Sequence, residues 1–231
     1  DEIFITKKLV LACGTLITTK LIMDYLNIKK EVRINHHPRL FSLYISKKRW
    51  KSNMEFQPSQ FHLKSKKNPF LFTADFRPGN KVIVKAIVKF KKILSPFKFL
   101  INLFREYLIF SNIFLEPRYG NLFLKRKKNL FEVYSKEKNI NKVFKNSSRI
   151  VYKFLLKTKK IFPFFHNYFP GFGADFHYFG TIPIKGKGKL SVNENCQLKA
   201  NNKIHIIDGS VFNFRKNKYP LGLIIANSRR I

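Results

Sequence analysis

A histidine three residues before a Gly-Thr pair, in FHYFGTIP at 176–183, is the side chain of this sequence best suited to move a proton. Imidazole titrates near neutrality, so His177 could accept the proton of a hydroxyl held about 3 Å away. Taken alone, a loop histidine reads better as one bonded to a backbone carbonyl than as a base. Two more polar segments follow. IHIIDGSVF at 204–212 is a hydrophobic strand closing on Asp208-Gly209-Ser210, and YPLGLIIANSRRI at 219–231 puts Tyr219 just before a helix-like run. Tyrosine can donate or accept a hydrogen bond, but with an ordinary pKa of about 10 it is a poor proton acceptor at neutral pH. The remaining histidines make no metal site. Adjacent His36 and His37 do not point to one side of a helix or strand, His166 and His205 lack partners at ligand spacing, and His62 reads as a surface residue. Cys13 and Cys196 are too few and too far apart for a disulfide framework or a metal knot. Cys13 lies in an apolar run, where a small buried hydrophobe is expected.

The elements that must hold these residues are legible as patterns. Leu9–Ala12 is a continuous apolar run, as expected of a strand buried on both faces. Gly14 ends it, and apolar residues at 17, 21, 22, 25, 26 and 28 predict a helix over Thr15–Ile28. Strand, tight glycine turn and helix form a corner found in many α/β units. Residues 31 to 165 read as a mixed α+β region. Lys81, Lys85 and Lys89 form one stripe of an amphipathic helix after Pro78-Gly79, a solvated face rather than a membrane-surface helix. Residues 113–124 and 130–134 predict two strands joined by the turn Lys125–Asn129. A second helix carries Ile140, Val143, Phe144, Val151, Phe154 and Leu155, with Pro163 expected to stop it. PGFGADF at 170–176 has Phe176 where a third glycine would complete GxGxxG, so it reads as a loop and not a phosphate cradle. Leu190–Val192 and Gln197–Lys199 are expected to pair around Asn193–Cys196. Ile204–Ile207 is a buried strand, and Pro220 suits the first turn of the closing helix.

Composition excludes less than it suggests. The 46 basic and 13 acidic residues give a net charge of +33, which points toward phosphate-bearing partners. Yet the lysines are spread along the chain among many Phe, Ile and Asn residues, all specified by A/T-rich codons, so coding drift accounts for the excess. The charge would still steer anionic substrates. A basic nucleic-acid-binding protein without catalytic activity is the alternative reading. FKFLINLFREYLIFSNIFL at 97–115 carries Arg105 and Glu106 in its middle and reads as a buried amphipathic element rather than a membrane span. The apolar stretch before Cys13 is too short for a signal segment. The expected location is cytoplasmic. An Asp at the start and an abrupt helix-like end suggest a fragment of a longer protein.

Taken together, FHYFGTIP, IHIIDGSVF and YPLGLIIANSRRI resemble the C-terminal part of the glucose-methanol-choline (GMC) family of FAD-dependent oxidoreductases. LVLACGTLITTKLIMDYLNI at 9–28 resembles the family's strand–Gly–Ser/Thr-Pro–helix segment, with Thr19 where Pro or Ser is usual. Leu26-Asn27-Ile28-Lys29 stands in place of the customary Ser-Gly-Ile-Gly. The resemblance covers 166–231 and 1–30 by motif, and the middle by position. It implies an α/β fold with an α+β insertion. Residues 1–30 and 166–231 would form part of a Rossmann-like FAD-binding domain lacking its N-terminal dinucleotide-binding unit, and 31–165 an antiparallel-sheet substrate domain.

The same resemblance implies function. His177 matches the catalytic histidine, and cofactor contacts fall at Ala12, Gly14, Asp208, Gly209, Pro220, Leu221 and Gly222. Asp208 and Gly209 match positions on the ribityl-phosphate side of the flavin. The amides of Leu221 and Gly222, at a helix start, would face its N1–C2 edge. The family's second catalytic residue, His or Asn, lies eleven residues after this aspartate, where Tyr219 stands; Asn217 fills the place if the loop is shifted by two. The implied activity is oxidation of a small-molecule alcohol or sugar by FAD, with no metal, no specific nucleic acid partner and an undetermined electron acceptor. Without its dinucleotide-binding unit this portion is not expected to hold FAD or to act alone. If drift explains the charge, a filter-binding assay will find only weak DNA association that falls steeply with salt. Tight binding surviving physiological salt would favour the nucleic-acid alternative.

Overall fold

A computed structural model describes residues 5–50, 61–65, 72–90, 92–128, 130–136, 139–173, 177–214 and 220–231. The chain is a mixed α/β protein with mostly antiparallel sheets, divided into two compact units that each draw on several stretches of sequence. The first comprises 1–38, 116–138 and 172–231; the second comprises 39–115 and 139–171.

In the first unit, strand β1 (Leu9–Leu11) leads through Gly14 into helix α1 (Thr15–Tyr25), and β2 (Val32–Ile34) follows. In the second, β3 (Arg39–Ser46), β4 (Phe61–Lys64) and β5 (Phe72–Pro78) precede helices α2 (Lys81–Phe90) and α3 (Lys98–Leu103) and strand β6 (Leu108–Leu115). The chain returns to the first unit for the hairpin β7 (Leu122–Lys127) and β8 (Leu130–Ser135). It then re-enters the second for helix α4 (Asn141–Lys157) and β9 (Ile161–Tyr168). The first unit closes with β10 (Gln197–Leu198), β11 (Asn201–Ile206) and helix α5 (Pro220–Arg230).

The first unit holds two three-stranded sheets, in the orders β1-β11-β10 and β2-β7-β8. β1 runs parallel to β11, with Leu9 opposite Ile204 and Leu11 opposite Ile206, although almost two hundred residues separate them. Helix α1 serves both sheets with adjacent side chains. Ile22 joins Leu11, Ile182, Val192, Leu198, Ile204 and Ile206, whereas Met23 joins Ile34, Leu122 and Leu124. Outside these cores, the Glu31 carboxylate accepts hydrogen bonds from Lys136 and Tyr134, which hold its pKa below the ordinary carboxylate value. The second unit is one antiparallel five-stranded sheet, β4-β5-β6-β3-β9. Helix α4 packs on one face, where the rings of Tyr152 and Phe165 lie 4.3 Å apart and Asn167 donates to Ser148.

Several boundaries differ from those expected. The stretch 116–138, read as part of the 31–165 region, belongs with the terminal segments, because β7 pairs with β2 and shares its core. The strand expected over 113–124 is two strands, β6 and β7, split by a short 3-10 turn at Pro117–Tyr119. The 97–115 element also breaks up: its first part is the exposed helix α3, and its second part is the sheet strand β6. Helix α4 ends at Lys157, with Thr158 as its C-cap and Lys159 at φ 55°, and Pro163 lies inside β9. Cys13 is exposed, because β1 stops at Leu11 and the chain turns before the thiol can enter the core. Among the described residues, no helix is long and apolar enough to cross a membrane.

The second unit depends on Phe76, fully buried and stacked on Phe61 with centroids 4.2 Å apart. Phe76→Ala should cost about 3–5 kcal/mol. Urea denaturation measures this, and a loss under about 1 kcal/mol would contradict this packing.

Candidate functional site

The site begins at the corner between β1 and α1. Gly14 adopts φ +84°, a conformation that glycine takes without steric penalty, and a Cβ there would meet nothing within 4 Å. The amides of the first turn of α1 have no partner within the helix, and no side chain caps them. Ala12 and Gly14, both expected to contact a cofactor, are exposed.

The Asp-Gly-Ser segment reaches the same corner through β11. Asp208 is buried, and its carboxylate is filled from inside the chain. Thr18 Oγ1 donates to Oδ2 at 2.5 Å, while Ser210 donates to Oδ1 through its amide at 2.9 Å and its hydroxyl at 2.6 Å. A buried carboxylate must be satisfied in this way or lose its charge. The side chain therefore fastens β11 to α1, and what it leaves to any cofactor is the backbone around it. Gly209 packs tightly; a Cβ there would lie 2.8 Å from Thr15 Oγ1 and 3.1 Å from the Tyr178 carbonyl.

The histidine segment is tied to both. Thr15 Oγ1 donates to the Tyr178 carbonyl at 2.7 Å, and the hydroxyls of Thr19 and Thr181 lie 2.6 Å apart. The amides of Gly180, Ile182 and Ile184 donate to the carbonyls of Gly209, Ser210 and Val211 at 2.9–3.1 Å. On the far side, Asn35 and Phe179 exchange two backbone hydrogen bonds. Gly180 has φ +71°, and a Cβ there would approach Asn35 Nδ2 to 2.5 Å and the Phe212 carbonyl to 2.7 Å. His177 is exposed at the start of this anchored segment.

Three segments remote in sequence thus meet around α1. Of the residues expected to act there, Ala12, Gly14, His177, Asp208 and Gly209 are described in full. Pro220, Leu221 and Gly222 form the first turn of α5. Tyr219 and Asn217 lie outside the described residues. Sequence reasoning missed the contribution of Asn35, His36 and His37. Both histidines are buried; His36 meets the edge of Phe172 at 5.8 Å, and His37 packs on Phe179 at 5.3 Å. They support the histidine segment from different directions, and no metal-binding group occurs among the described residues. Three consecutive polar residues before a proline were the available signal, since such a run is buried only where it has specific neighbours.

No family model matches the chain, and no curated protein matches it. Among solved structures, the chain is similar to pyridoxine 4-oxidase from Mesorbium loti, with a TM-score of 0.56 at 13% identity. The match covers 96% of this chain and 50% of that one, so the chain spans about half the length of that protein. At this identity the likeness is one of fold.

The anchoring bonds predict a graded response to mutation. Thr18→Val keeps the shape of the side chain but strips a donor from buried Asp208, and should cost about 1–3 kcal/mol. Gly180→Ala should cost more than roughly 2 kcal/mol, from its backbone conformation and the Phe212 carbonyl together. Ile17→Ala, on the exposed side of α1, should stay within about 0.5 kcal/mol of the parent. Chemical denaturation of the three variants measures this order, and a harmless Thr18→Val would undo it.

Proposed function

We propose that this chain is the catalytic, C-terminal portion of a GMC-type flavoprotein that oxidises the CH–OH group of a small alcohol or sugar. The observation that carries the reading is the convergence on α1. The β1–Gly14 corner, the Asp208-Gly209-Ser210 turn and the His177–Thr181 segment are bonded to one another, although nothing in their sequence separation requires it. The similar fold of an oxidase, itself a GMC-family oxidoreductase, supports the assignment.

In this reading the parallel β1–β11 pair and α1 belong to a Rossmann-like FAD domain. The residues fit a flavin. The uncapped first turn of α1 offers amides to negative charge, and Gly14 leaves open space where a planar ring can approach the backbone. The turn at Asp208-Gly209 and the first turn of α5, at Pro220, Leu221 and Gly222, complete the cofactor contacts. FAD, when bound, supplies the acceptor for the hydride of the carbinol carbon. His177 takes the hydroxyl proton at an imidazole nitrogen, and the anchored Tyr178–Thr181 stretch fixes where that imidazole stands. Tyr219 orients the alcohol through its hydroxyl. The dinucleotide-binding unit that supplies most of the affinity for FAD is separate from these residues.

With that unit present, His177→Ala should leave FAD bound and slow flavin reduction by alcohol about 10²-fold or more. Tyr219→Phe should cost no more than about one hydrogen bond, roughly 0.5–1.5 kcal/mol. Stopped-flow bleaching of the flavin measures both. A His177→Ala enzyme that reduced its flavin at the parent rate would refute the assigned base. A larger loss for Tyr219→Phe would exchange the two roles.

A further inference from the structure

Helix α3 of the second unit is inverted for a surface helix. Phe99, Leu100, Leu103 and the C-cap residue Phe104 recur at helical spacing, so they share one apolar face. A surface helix ordinarily turns such a face to the core. Here it turns outward. Phe99 is 77% and Leu103 62% exposed, Leu100, Phe104 and the preceding Phe97 are exposed as well, and no residue of α3 is buried. The side-chain oxygen of Asn102, on the opposite side, is buried instead. Exposed apolar side chains scattered singly need no explanation, but five within residues 97–104 form a continuous patch.

The chain holds this patch in place from behind. A Cβ at Gly79, just past β5, would lie 2.2 Å from the Arg105 carbonyl, and the Gly79 amide donates to the Leu108 carbonyl at 2.7 Å. Glycine at 79 thus lets the chain leaving α3 close against the end of β5. The surrounding charge has one sign. Residues 81–105 contain six lysines and one arginine and no acidic residue. Lys98 on α3 is exposed, as are Lys81 and Lys85 on the neighbouring α2. The next carboxylate, Glu106, is paired with Arg49 at 2.6 Å. An anionic bilayer answers both features, since lysines settle among its headgroups while rings enter the acyl boundary. A second copy of this chain would bring the same positive charge to the contact, and a helix with no buried residue offers no groove to a peptide.

We propose that α3 docks the protein on an anionic lipid bilayer. Phe97, Phe99, Leu100, Leu103 and Phe104 enter the boundary between headgroups and acyl chains, and Lys98 remains with the lipid phosphates. The lysines of α2 stay in water and add attraction at a distance. The attachment is peripheral, because the six residues of α3 are far too few to span a bilayer. It stands independently of the proposed oxidation.

A chain this basic will adsorb to anionic vesicles by charge alone, so the test must see the apolar side chains enter. The probe is a vesicle of equal parts phosphatidylcholine and phosphatidylglycerol, and partition of the full chain is read by sedimentation. Phe99→Asn and Leu103→Asn should each weaken partition about tenfold, as expected for withdrawing one large apolar side chain from the bilayer. Lys98→Gln should weaken it about fivefold. Since all three side chains are exposed, the urea midpoint should not move. Depth is read separately, from Phe99→Trp in a Trp50→Phe background, with lipids brominated along the acyl chain. The tryptophan at 99 should be quenched, and should stay quenched when salt has lowered the bound fraction. Adsorption without quenching, or partition unchanged in both asparagine variants, would mean charge alone and would overturn the proposal. Self-association of the parent that Phe99→Asn abolishes, again without quenching, would assign the patch to a second copy and overturn it as well.

Discussion

The first unit turns on one buried carboxylate. Asp208 ends a hydrophobic strand where it cannot reach bulk water, so its charge is tolerated only if donors come to it. Thr18 comes from α1 and Ser210 from the following turn. Meeting that requirement fixes the distance between α1 and β11, and with it the parallel register of β1 on β11. Once α1 is fixed, Thr15 and Thr19 hold the segment of His177 by the Tyr178 carbonyl and the Thr181 hydroxyl. In the proposed function, the base His177 would have to stand within a few tenths of an ångström of its place to work. A chain of short buried hydrogen bonds is a stiffer mount for it than a hydrophobic contact.

The same economy of acidic residues runs through the chain. There are 13 of them against 46 basic ones, and Asp75, Glu116 and Asp208 are each buried. Each has a fixed partner: Arg77 and Asn112 for Asp75, Arg118 for Glu116, Thr18 and Ser210 for Asp208. These carboxylates act as internal tie points, while the basic excess lies largely on exposed positions where solvent and salt screen it.

The sequence disclosed the parts of the fold whose signals are local. The β1–Gly14–α1 corner, helix α2, helix α4 and the start of α5 were legible because apolar periodicity and glycine or proline placement are properties of neighbouring residues. It did not disclose how the chain alternates between units. That β7 joins β2 through Ile34, Leu122 and Leu124 is a long-range packing choice, and the apolar run at 113–124 carries no local mark of the break at Pro117 beyond the proline itself. Cys13 was misread because a strand's last residue and a turn's first look alike in an apolar run. In the site, His177, Asp208 and Gly209 stood out by motif. Asn35, His36 and His37 did not, since their role depends on Phe172 and Phe179 arriving from the other end of the chain.

The central claim is that Asp208 gathers three distant segments into a flavin-facing site with His177 as its base. The most direct measurement is an experimental structure of this chain together with its dinucleotide-binding unit, FAD and an unreactive alcohol analogue. The account predicts the Thr18–Asp208 bond intact, the flavin ring over the Gly14 corner, and the analogue's hydroxyl about 3 Å from an imidazole nitrogen of His177. A flavin bound elsewhere, or an imidazole turned away from an occupied substrate site, would contradict it.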